Sequence, residues 1–536
     1  MKFRVTEIFN RSITVELVNR DKYRTQPYLV KLNGEPVFDG PQDRNVFAIT
    51  GLQPDTEYRL SVQSAVDAGR PDTQLFRTRP ESALLDVRKF GAVGDGVHRD
   101  TAALQAAIYA CPEKGTVRVP KGRYLTSPLF LRSSITLWLE EGAVLLGDPD
   151  RSHYPVLPGM IPGTDEKSEF PMGTWEGNPL DSFASLITGI GVQEVDIIGP
   201  GVIDGNAQNG DWWEDVRTKR TAWRPNTVYL LRCTNIRMQN VTIRNSPSWT
   251  LHPAYCHHLR FSVLTIQNPP DSPNTDGFDP ESCSDVRLIG TRISVGDDCI
   301  AIKSGKYYMA HYHWKKSTGT VIRNCLFERG HGSVTIGSEI AGGVEEVHVS
   351  QCIFDGTDRG VRLKTRRGRG ERSLLDGLIF ERIEMRSVPM PVTVNMFYYC
   401  DPDGHSEEVQ DRAAHPVTER TPRIGTIEVR DVVCTGVNAS LLCAYGIPEM
   451  PVECIVLEHV KASFLPKEER TPYIPVMMDG LDPMEGVGFY MQNVRKAVLE
   501  DIRLEGIDRD QLLIGEPEQL ESERILVNGE EIRLQK

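Results

Sequence analysis

The chain has 536 residues, with 61 Lys and Arg against 74 Asp and Glu, for a formal net charge of −13. This acidic balance disfavours nonspecific nucleic-acid binding, because phosphate backbones attract positively charged surfaces. No apolar run approaches the roughly 18 residues that a membrane span needs. We therefore expect a soluble globular protein with neither a nucleic-acid nor a membrane partner, and the sequence leaves its oligomeric state open.

The first residues alternate between apolar and polar side chains like a strand, and they lack the apolar core of a signal peptide. The 11 cysteines form no C-x-x-C pair, and most lie in apolar stretches. This pattern fits a reducing compartment better than a disulfide framework. We expect a cytoplasmic protein.

Residues 1–79 show short alternating strands separated by turn signals, typical of a small β-sandwich. The stretch 51–58, GLQPDTEY, resembles the corner of fibronectin type III modules, in which a Leu and a Tyr pack beside the turn and the Tyr hydroxyl bonds to backbone. The resemblance implies a fibronectin type III-like module. We favour a spacer over a ligand-binding role for it, since a fold alone assigns no function.

A link rich in Pro and Arg leads into residues 84–536. Asp100 precedes the helical pattern TAALQAAI, and we expect it to cap that helix. From about residue 180 an internal repeat dominates, in which Cys233, Cys256 and Cys283 each open an apolar strand. Short strands at a period in the twenties are typical of a parallel β-solenoid. The aligned cysteines could form a metal column, but interior packing is favoured.

Acidic residues interrupt this repeat. Asp276 lies in NTDGFD, and the pair Asp297 and Asp298 in GDDC follows about one coil later. The carboxylates should therefore stack on one face of the solenoid. Such a pair at the end of an apolar strand is costly unless partnered or functional, because like charges repel and raise one pKa.

An imidazole and two cations follow in the next coils. His331 lies in GHG, and alternation along the strand places Arg362 and Lys364 of RLK on the same face. Two carboxyl groups can cleave a glycosidic bond, one protonating the leaving oxygen and the other activating water. The cations suit the carboxylate of an anionic sugar. Each motif alone is commonly a turn or solvated loop; their order and shared repeat phase favour a site.

The set NTDGFD, GDDC, GHG and RLK, with IIGPGVIDG upstream, resembles glycoside hydrolase family 28, the polygalacturonases, from about residue 84 to 510. The resemblance implies an all-β fold with a right-handed, pectin lyase-like parallel β-helix. It also implies inverting hydrolysis of α-1,4-galacturonosidic bonds without a metal or cofactor. By matching motif, Asp297 is the implied general acid, and Asp276 and Asp298 together hold and deprotonate the water.

The same resemblance assigns the remaining motif residues. His331 would tune the acid and contact the substrate, Arg362 and Lys364 would bind the galacturonate carboxylate, and Asp279 would line a subsite. RLK differs from the commoner RIK only at Leu363, which keeps both cations. For an inverting pair we expect the carboxyl groups to lie roughly 6.5–9.5 Å apart.

Insertions at residues 150–180, 306–318 and 399–422 bear on the mode of action. Long insertions on one face can close a groove into a pocket, which restricts attack to a chain end. The stretch GSVTIGSE at residues 332–339 resembles the bacterial exo-acting branch. We therefore expect an exo-acting hydrolase of oligogalacturonates or pectin fragments, with Glu339 and Tyr398 as candidate end-pocket residues.

Other polar residues near these motifs are interpreted as surface or turn residues. They are His252, His257, His258, Lys303, Arg366, Arg367 and Arg369. For Lys303 and the arginines, an outer sugar-carboxylate contact is the alternative. The aromatic insertion, with His311, Tyr312, His313 and Trp314, either stacks on sugar faces or packs on its own solenoid.

Three alternatives stay open. A rhamnogalacturonan or xylogalacturonan hydrolase would share the fold and the three Asp. A β-helix lyase would need Ca²⁺ and a basic proton abstractor, which the clustered Asp set disfavours. A non-catalytic β-solenoid carbohydrate-binding protein would have no reason to keep carboxylates, imidazole and cations in one register.

Overall fold

Parallel strands stacked in coils make up most of the chain, which the computed structural model describes at residues 1–67, 69–163 and 168–534. Residues 164–167 of the insertion expected at 150–180 lie outside the described residues. Each coil in the middle of the chain contributes three strands, one to each face of a β-helix.

Two of these faces belong to one continuous sheet. They are joined because long strands such as Leu374–Arg386 run from one face onto the other. The 25 strands of this sheet are Leu84–Asp86, Asp95–Arg99, Gly115–Val119, Gly122–Thr126, Ile135–Leu139, Ala143–Gly147, Gln193–Ile198, Val202–Asp204, Thr234–Gln239, Thr242–Arg244, His257–Ser262, Thr265–Gln267, Ser284–Ile289, Arg292–Ser294, Ser317–Arg323, Leu326–Glu328, Val344–Ser350, Ile353–Asp355, Leu374–Arg386, Arg423–Ile424, Thr426–Val437, Val452–Phe464, Val494–Glu505, Gln519–Val527 and Glu530–Ile532.

The third face begins with four strands, Leu129–Phe130, Ile187–Ile190, Val228–Leu231 and Leu251–Ala254. It ends with seven, Ala301–Ile302, Val334–Ile336, Arg359–Lys364, Met390–Asn395, Ser440–Tyr445, Val487–Gln492 and Leu513–Ile514. Isolated parallel bridges from Leu251 to Phe278 and from Phe278 to Ile300 join the two sets into one continuous face.

The coils stack because their inward side chains are apolar and meet similar residues on the next coil. Ile266 lies opposite Ile293, and Leu259 opposite Val286, with all four buried. The repeated cysteines Cys233, Cys256 and Cys283 are buried free thiols within the same core, as packing requires. The expected all-β class with a right-handed parallel β-helix is confirmed.

Short helices and hairpins decorate this core. The α-helices are Thr101–Ala110, Tyr307–Tyr312 and Glu407–Gln410, and the 3₁₀ turns are Val87–Phe90, Arg151–His153, Ala207–Asn209, Lys467–Glu469 and Arg509–Gln511. Strands Val156–Leu157 and Ser182–Phe183 pair with each other, as do Met160–Pro162 and Glu169–Pro171. Among the described residues, no helix is long and apolar enough to cross a membrane.

Asp100 does not cap the first helix with its side chain, contrary to expectation. It precedes Thr101–Ala110, but its carboxylate accepts hydrogen bonds from the backbone N–H groups of Val93 and Gly94 at 2.6 and 3.0 Å. The side chain therefore closes the preceding loop instead of the helix end.

The N-terminal residues form two antiparallel sheets. One contains Phe3–Ile8, Ser12–Leu17 and Val46–Thr50, and the other Arg24–Leu32, Glu35–Pro36, Gln42–Arg44, Glu57–Ser64 and Asp72–Arg77. Leu52 is buried, and the Tyr58 hydroxyl accepts a hydrogen bond from the backbone N–H of Gln53 at 2.9 Å. This contact returns the Tyr hydroxyl to the backbone of its own turn.

These sheets dock on the β-helix through buried polar contacts. Glu16, 2% exposed at its side chain, accepts hydrogen bonds from Arg323 at 2.6 and 2.9 Å. Thr14 and Ser262 share a hydrogen bond of 2.9 Å. A Cβ at Gly290 would lie 2.5 Å from the Cβ of Val46, so only glycine permits this approach. The two parts therefore meet across a fitted interface.

Replacing Glu16 with Ala should destabilise the folded protein, because it leaves the interface guanidinium of Arg323 without its partner. Removing one member of a buried ion pair costs about 3 kcal/mol. The urea unfolding midpoint measures the loss. Asp55→Ala, which breaks an exposed pair with Arg77, is the control and should leave the midpoint nearly unchanged. Equal midpoints for the two variants would contradict the buried-interface interpretation.

Candidate active site

Three aspartates from two adjacent coils meet on the outward side of the third face. Because Phe278 pairs with Ile300, Asp276 and Asp298, each two residues earlier, occupy matching positions. One carboxylate oxygen from each of Asp276, Asp297 and Asp298 lies within 4.8 Å of the others. The expected stacking is present, with Asp298 rather than Asp297 in register with Asp276.

The closest carboxylate oxygens of the three aspartates lie within 4.8 Å of one another. The roughly 6.5–9.5 Å expected for an inverting pair is a separation between whole carboxyl groups, so that expectation stays a prediction. Coil spacing brings Asp276 close to the pair, since neighbouring parallel strands lie about 4.8 Å apart. Oxygens within this limit can share one water, because each O–H···O bond spans about 2.5–3.0 Å.

Cations from two coils further on compensate Asp298. Arg362 Nη1 donates to Asp298 Oδ1 at 3.0 Å, and Lys364 Nζ donates to Asp298 Oδ2 at 2.9 Å. Both lie on strand Arg359–Lys364, where alternation places them on one side, as expected. Asp276, Asp297 and Asp298 are close enough to hold a metal ion, but both oxygens of Asp298 already accept hydrogen bonds from protein cations.

The surroundings separate the pKa values of the three aspartates. Burial and the neighbouring Asp298 raise the pKa of Asp297, and burial and Asp297 raise the pKa of Asp276. Burial also acts on Asp298, but Lys364 and Arg362 outweigh it and hold the pKa of Asp298 below its usual range. The cluster therefore offers one readily ionised carboxylate beside two that retain protons more easily.

His331 stands at the edge of this cluster with a partner of its own. Its Nδ1 lies 2.8 Å from Asp358 Oδ2, and its backbone N–H donates to the Asp297 carbonyl at 3.0 Å. The hydrogen bond that His331 donates to Asp358 raises the pKa of His331, and the charge of Asp297 raises it further. The ring is half-exposed, so its other nitrogen can reach a bound molecule.

Lys303 is buried, which corrects the expectation of an exposed loop charge. Its Nζ lies 3.0 Å from Glu339 Oε2, 3.6 Å from Asp279 Oδ1 and 3.8 Å from Asp276 Oδ2. The ammonium also sits 4.0 Å from the ring centroid of Trp249. The positive charge of Lys303 thus compensates the negative charge of the carboxylates around it.

Asp279 is fully buried beneath the cluster. Within the described part of the chain, both of its carboxylate oxygens lack a hydrogen-bond partner. Burial and the nearby Asp276 raise the pKa of Asp279 well above its usual range. Asp279 therefore influences the site through Asp276 and Lys303, and its place in a subsite stays a prediction.

The two candidate end-pocket residues lie beside these cations. Glu339 accepts hydrogen bonds from Lys303 and from the Ser338 hydroxyl, both at 3.0 Å. The ring centroid of Tyr398 lies 5.3 Å from Lys364 Nζ. Both residues are buried at the rim of the cluster.

The arginines after the RLK motif are buried, contrary to the surface interpretation. Arg366 contacts Asp401 and Asp403, and Arg369 contacts Asp401. Arg367 binds Glu449 and three backbone carbonyls. Sequence reasoning missed their acidic partners because these lie more than 30 residues away.

Three insertions converge over this face. Lys306 N donates to the Gly177 carbonyl at 2.9 Å, and Lys306 Nζ donates to Asp401 at 2.9 Å. A Cβ at Gly177 would lie 2.9 Å from Glu339 Cβ, so glycine allows the first insertion to close over Glu339. The insertions around residues 170–180, 306–318 and 399–422 therefore wall one end of the cluster.

A fourth segment near the site carries no sequence signal that we recognised. The Arg359 guanidinium donates to the carbonyls of Ile474 and Pro475 at 3.1 Å. Met477 contacts Arg362 through its sulfur and accepts a hydrogen bond from Asn395 at its carbonyl. Residues 473–477 therefore cover a further side of the cluster, and Met477 also contacts Cys400 of the third insertion.

The remaining histidines and aromatic residues differ in their exposure to solvent. His252 is fully buried, which corrects the surface interpretation; it lies 2.8 Å from Glu281 and 2.9 Å from Asn226. His257 is exposed and His258 half-exposed, as expected. In the aromatic insertion, Tyr312 and Trp314 are 65% and 54% exposed, and the Trp314 indole N–H donates to the Gly342 carbonyl. This insertion is therefore joined to the solenoid at Trp314, and stacking of its rings on sugar faces stays a prediction.

Comparison with known proteins gives two matching family profiles. Glycosyl hydrolases family 28 matches residues 164–443, and a rhamnogalacturonase A/epimerase, pectate lyase-like profile matches residues 84–161. A probable polygalacturonase from Vitis vinifera is 31% identical over 75% of this chain and 78% of its own. A probable polygalacturonase from Arabidopsis thaliana is 30% identical over 68% of this chain and 70% of its own.

Solved structures share the architecture. A family 28 exopolygalacturonase from Yersinia enterocolitica is 18% identical, with a TM-score of 0.68 over 99% of this chain and 100% of its own. A hyperthermoactive exopolygalacturonase from Thermotoga maritima is 22% identical, with a TM-score of 0.64 over 84% and 92% of the two chains. At these identities the likeness establishes the fold.

Replacing Asp358 with Asn should lower the pKa of His331 toward the ordinary 6.5, because the hydrogen bond from His331 to the Asp358 carboxylate is the main cause of its increase. A raised pKa means that the protonated imidazole stabilises the folded protein. In the native protein this stabilisation is complete below pH 6.5 and is lost as the pH rises through the raised pKa of His331. Proton NMR of the imidazole measures the shift, with His331→Gln to assign the resonance. An unchanged titration in Asp358→Asn would show that the pair does not control His331.

Proposed function

Because the chain belongs to glycosyl hydrolases family 28, we propose that it is an exo-acting, inverting hydrolase of α-1,4-linked galacturonate oligomers. The observation that carries the proposal is the cluster of Asp276, Asp297 and Asp298, with opposed pKa shifts, beside Arg362 and Lys364. The plant relatives named polygalacturonases support the galacturonate substrate.

The pKa pattern supports a division of roles. Asp297, with its raised pKa, protonates the leaving glycosidic oxygen. Asp298 stays ionised beside its cations and takes a proton from a water that Asp276 also holds. His331, joined to Asp358, hydrogen-bonds the substrate next to the acid. The remaining donors of Arg362 and Lys364 receive the sugar carboxylate.

Closure at one end of the cluster supports attack from a chain end. The loops at Gly177, Lys306 and Asp401 contact one another over Glu339. A long polymer cannot pass through such a wall, so a terminal sugar would enter the pocket with Glu339 and Tyr398 at its rim. In this proposal the N-terminal sheets are a fibronectin type III-like spacer, supported by the Tyr58 contact. A cytoplasmic location stays a prediction.

Incubation with defined galacturonate oligomers should release monomer alone or dimer alone from the start, because the walled end admits a fixed number of sugars. Chromatography of early products, with chelator present, measures this. A spread of lengths would contradict the exo-acting mode. Hydrolysis of rhamnose- or xylose-bearing pectins alone would favour the alternative substrates. Product with the double bond of a lyase would contradict hydrolysis.

The matched control for this assay is Asp297→Asn, which keeps the shape but removes the acid proton. It should lower kcat by about 10²–10⁴-fold while oligomer binding persists, in line with the usual contribution of a general acid. Retained turnover would exclude Asp297 as the acid. Proton NMR of the first product should show the β anomer if the configuration inverts.

Lys364→Ala should raise the pKa of Asp298, because Lys364 is the leading cause of its low value. A base with a raised pKa is protonated at higher pH, so the acidic limb of the kcat/KM profile should move to higher pH. KM should rise about tenfold through loss of one charged hydrogen bond. Lys496→Ala, which breaks a surface pair with Glu521 on a late coil, is the control. Identical profiles for both variants would remove Lys364 from the site.

A further inference from the structure

A cage of three cations surrounds one aspartate in the third insertion. Lys306 Nζ donates to Asp401 Oδ1 at 2.9 Å, and Arg366 Nε and Arg369 Nη2 donate to Asp401 Oδ2 at 3.0 and 2.7 Å. The side chains of the four residues are only 4–14% exposed. A single carboxylate thus receives donors on both oxygens from three directions.

Lys306, Arg366 and Arg369 together carry more positive charge than Asp401 neutralises and more hydrogen-bond donors than it accepts from. Arg366 also binds Asp403, and Lys306 lies 3.7 Å from Glu176, but these acids are 63% and 43% exposed, so water screens them. Within the described part of the chain, Arg366 Nη1 and Arg369 Nε are buried without a hydrogen-bond partner. Buried guanidinium donors ordinarily find acceptors, so the cage has capacity for a further one.

This cage adjoins the candidate active site. Arg362, Lys364 and Arg366 occupy alternate positions along the chain, and two residues of strand advance the backbone by roughly 7 Å. The backbone of Lys306 bonds Gly177, which packs on Glu339. Lys303, Lys306, Lys364 and Arg369 together outweigh burial and lower the pKa of Glu339. The cage therefore lies within electrostatic reach of the walled end of the pocket.

We propose that Lys306, Arg366 and Arg369 form a second carboxylate-binding subsite, which Asp401 occupies until the carboxylate of a bound galacturonate displaces it. The inference rests on the proposed function. A galacturonate carboxylate has the same charge and geometry as an Asp side chain, so the same donors fit both. Asp401 lies on an insertion at the protein surface between Cys400, which is exposed, and Pro402, so its side chain can leave with the loop.

A purely structural role makes the opposite prediction. If Asp401 only anchors the insertion, its loss loosens the pocket wall and weakens substrate binding. If Asp401 competes with the substrate for the cage, its loss frees three buried cations and strengthens binding. The direction of the change in affinity therefore separates the two roles.

The test measures binding of trigalacturonate by calorimetry in an Asp297→Asn background, which prevents turnover. Adding Asp401→Asn should tighten binding about tenfold, the equivalent of one charged hydrogen bond gained by the ligand. For methyl-esterified trigalacturonate, which lacks the carboxylate, adding Asp401→Asn should leave the affinity the same as in the Asp297→Asn background alone. Unchanged or weaker binding of trigalacturonate by Asp401→Asn would overturn the proposal.

Two further variants keep the outcome interpretable. Asp403→Asn removes a neighbouring, exposed acid that also binds Arg366, and it should leave affinity unchanged. Arg369→Gln should weaken binding about tenfold, with Arg369→Lys restoring part of it; full affinity in Arg369→Gln would also overturn the proposal. Turnover of galacturonate oligomers by the native enzyme tests the proposed function separately, so its failure and the failure of the cage are distinguishable.

Discussion

Charge compensation between neighbouring coils is the constraint on which the candidate site depends. In a parallel ladder, matching positions of adjacent coils lie about 4.8 Å apart, so stacked carboxylates repel unless cations reach them. Arg362 and Lys364 compensate the charge of Asp298, and Lys303 compensates that of Asp276. Because these cations are unequally placed, the same coil spacing that brings the acids together also separates their pKa values.

The position of the site could be predicted from the sequence because its residues follow the repeat. Asp276 and Asp298 each precede a paired position of the third face by two residues, and the alternation of Arg362 and Lys364 follows from strand geometry alone. The same reasoning predicted the β-helix, since short apolar strands at a regular period need a neighbour to bury their inner faces. Local pattern was sufficient for residues that follow the regular repeat.

Local pattern failed where burial depends on an acidic partner that the repeat does not identify. Lys303 and Arg366 look like exposed loop charges in sequence, yet both are buried because the carboxylates of Glu339 and Asp401 meet them. His252 is buried beside Glu281 of the adjacent coil. Burial of a charge depends on its tertiary partner, and no periodicity in the sequence identifies one.

The N-terminal sheets contact the same coils that carry the site residues. They contact the corners of successive coils at Ser262, Gly290, Asn324 and Gln351. Along the chain, these corners precede Asp276, Asp297, His331 and Arg362 in turn. Each of these coils therefore carries a site residue on one face and a docking contact at the corner between the other two faces. Because the N-terminal sheets contact all four corners, they resist slippage of one coil against the next. The distances among the three aspartates depend on this alignment of the coils.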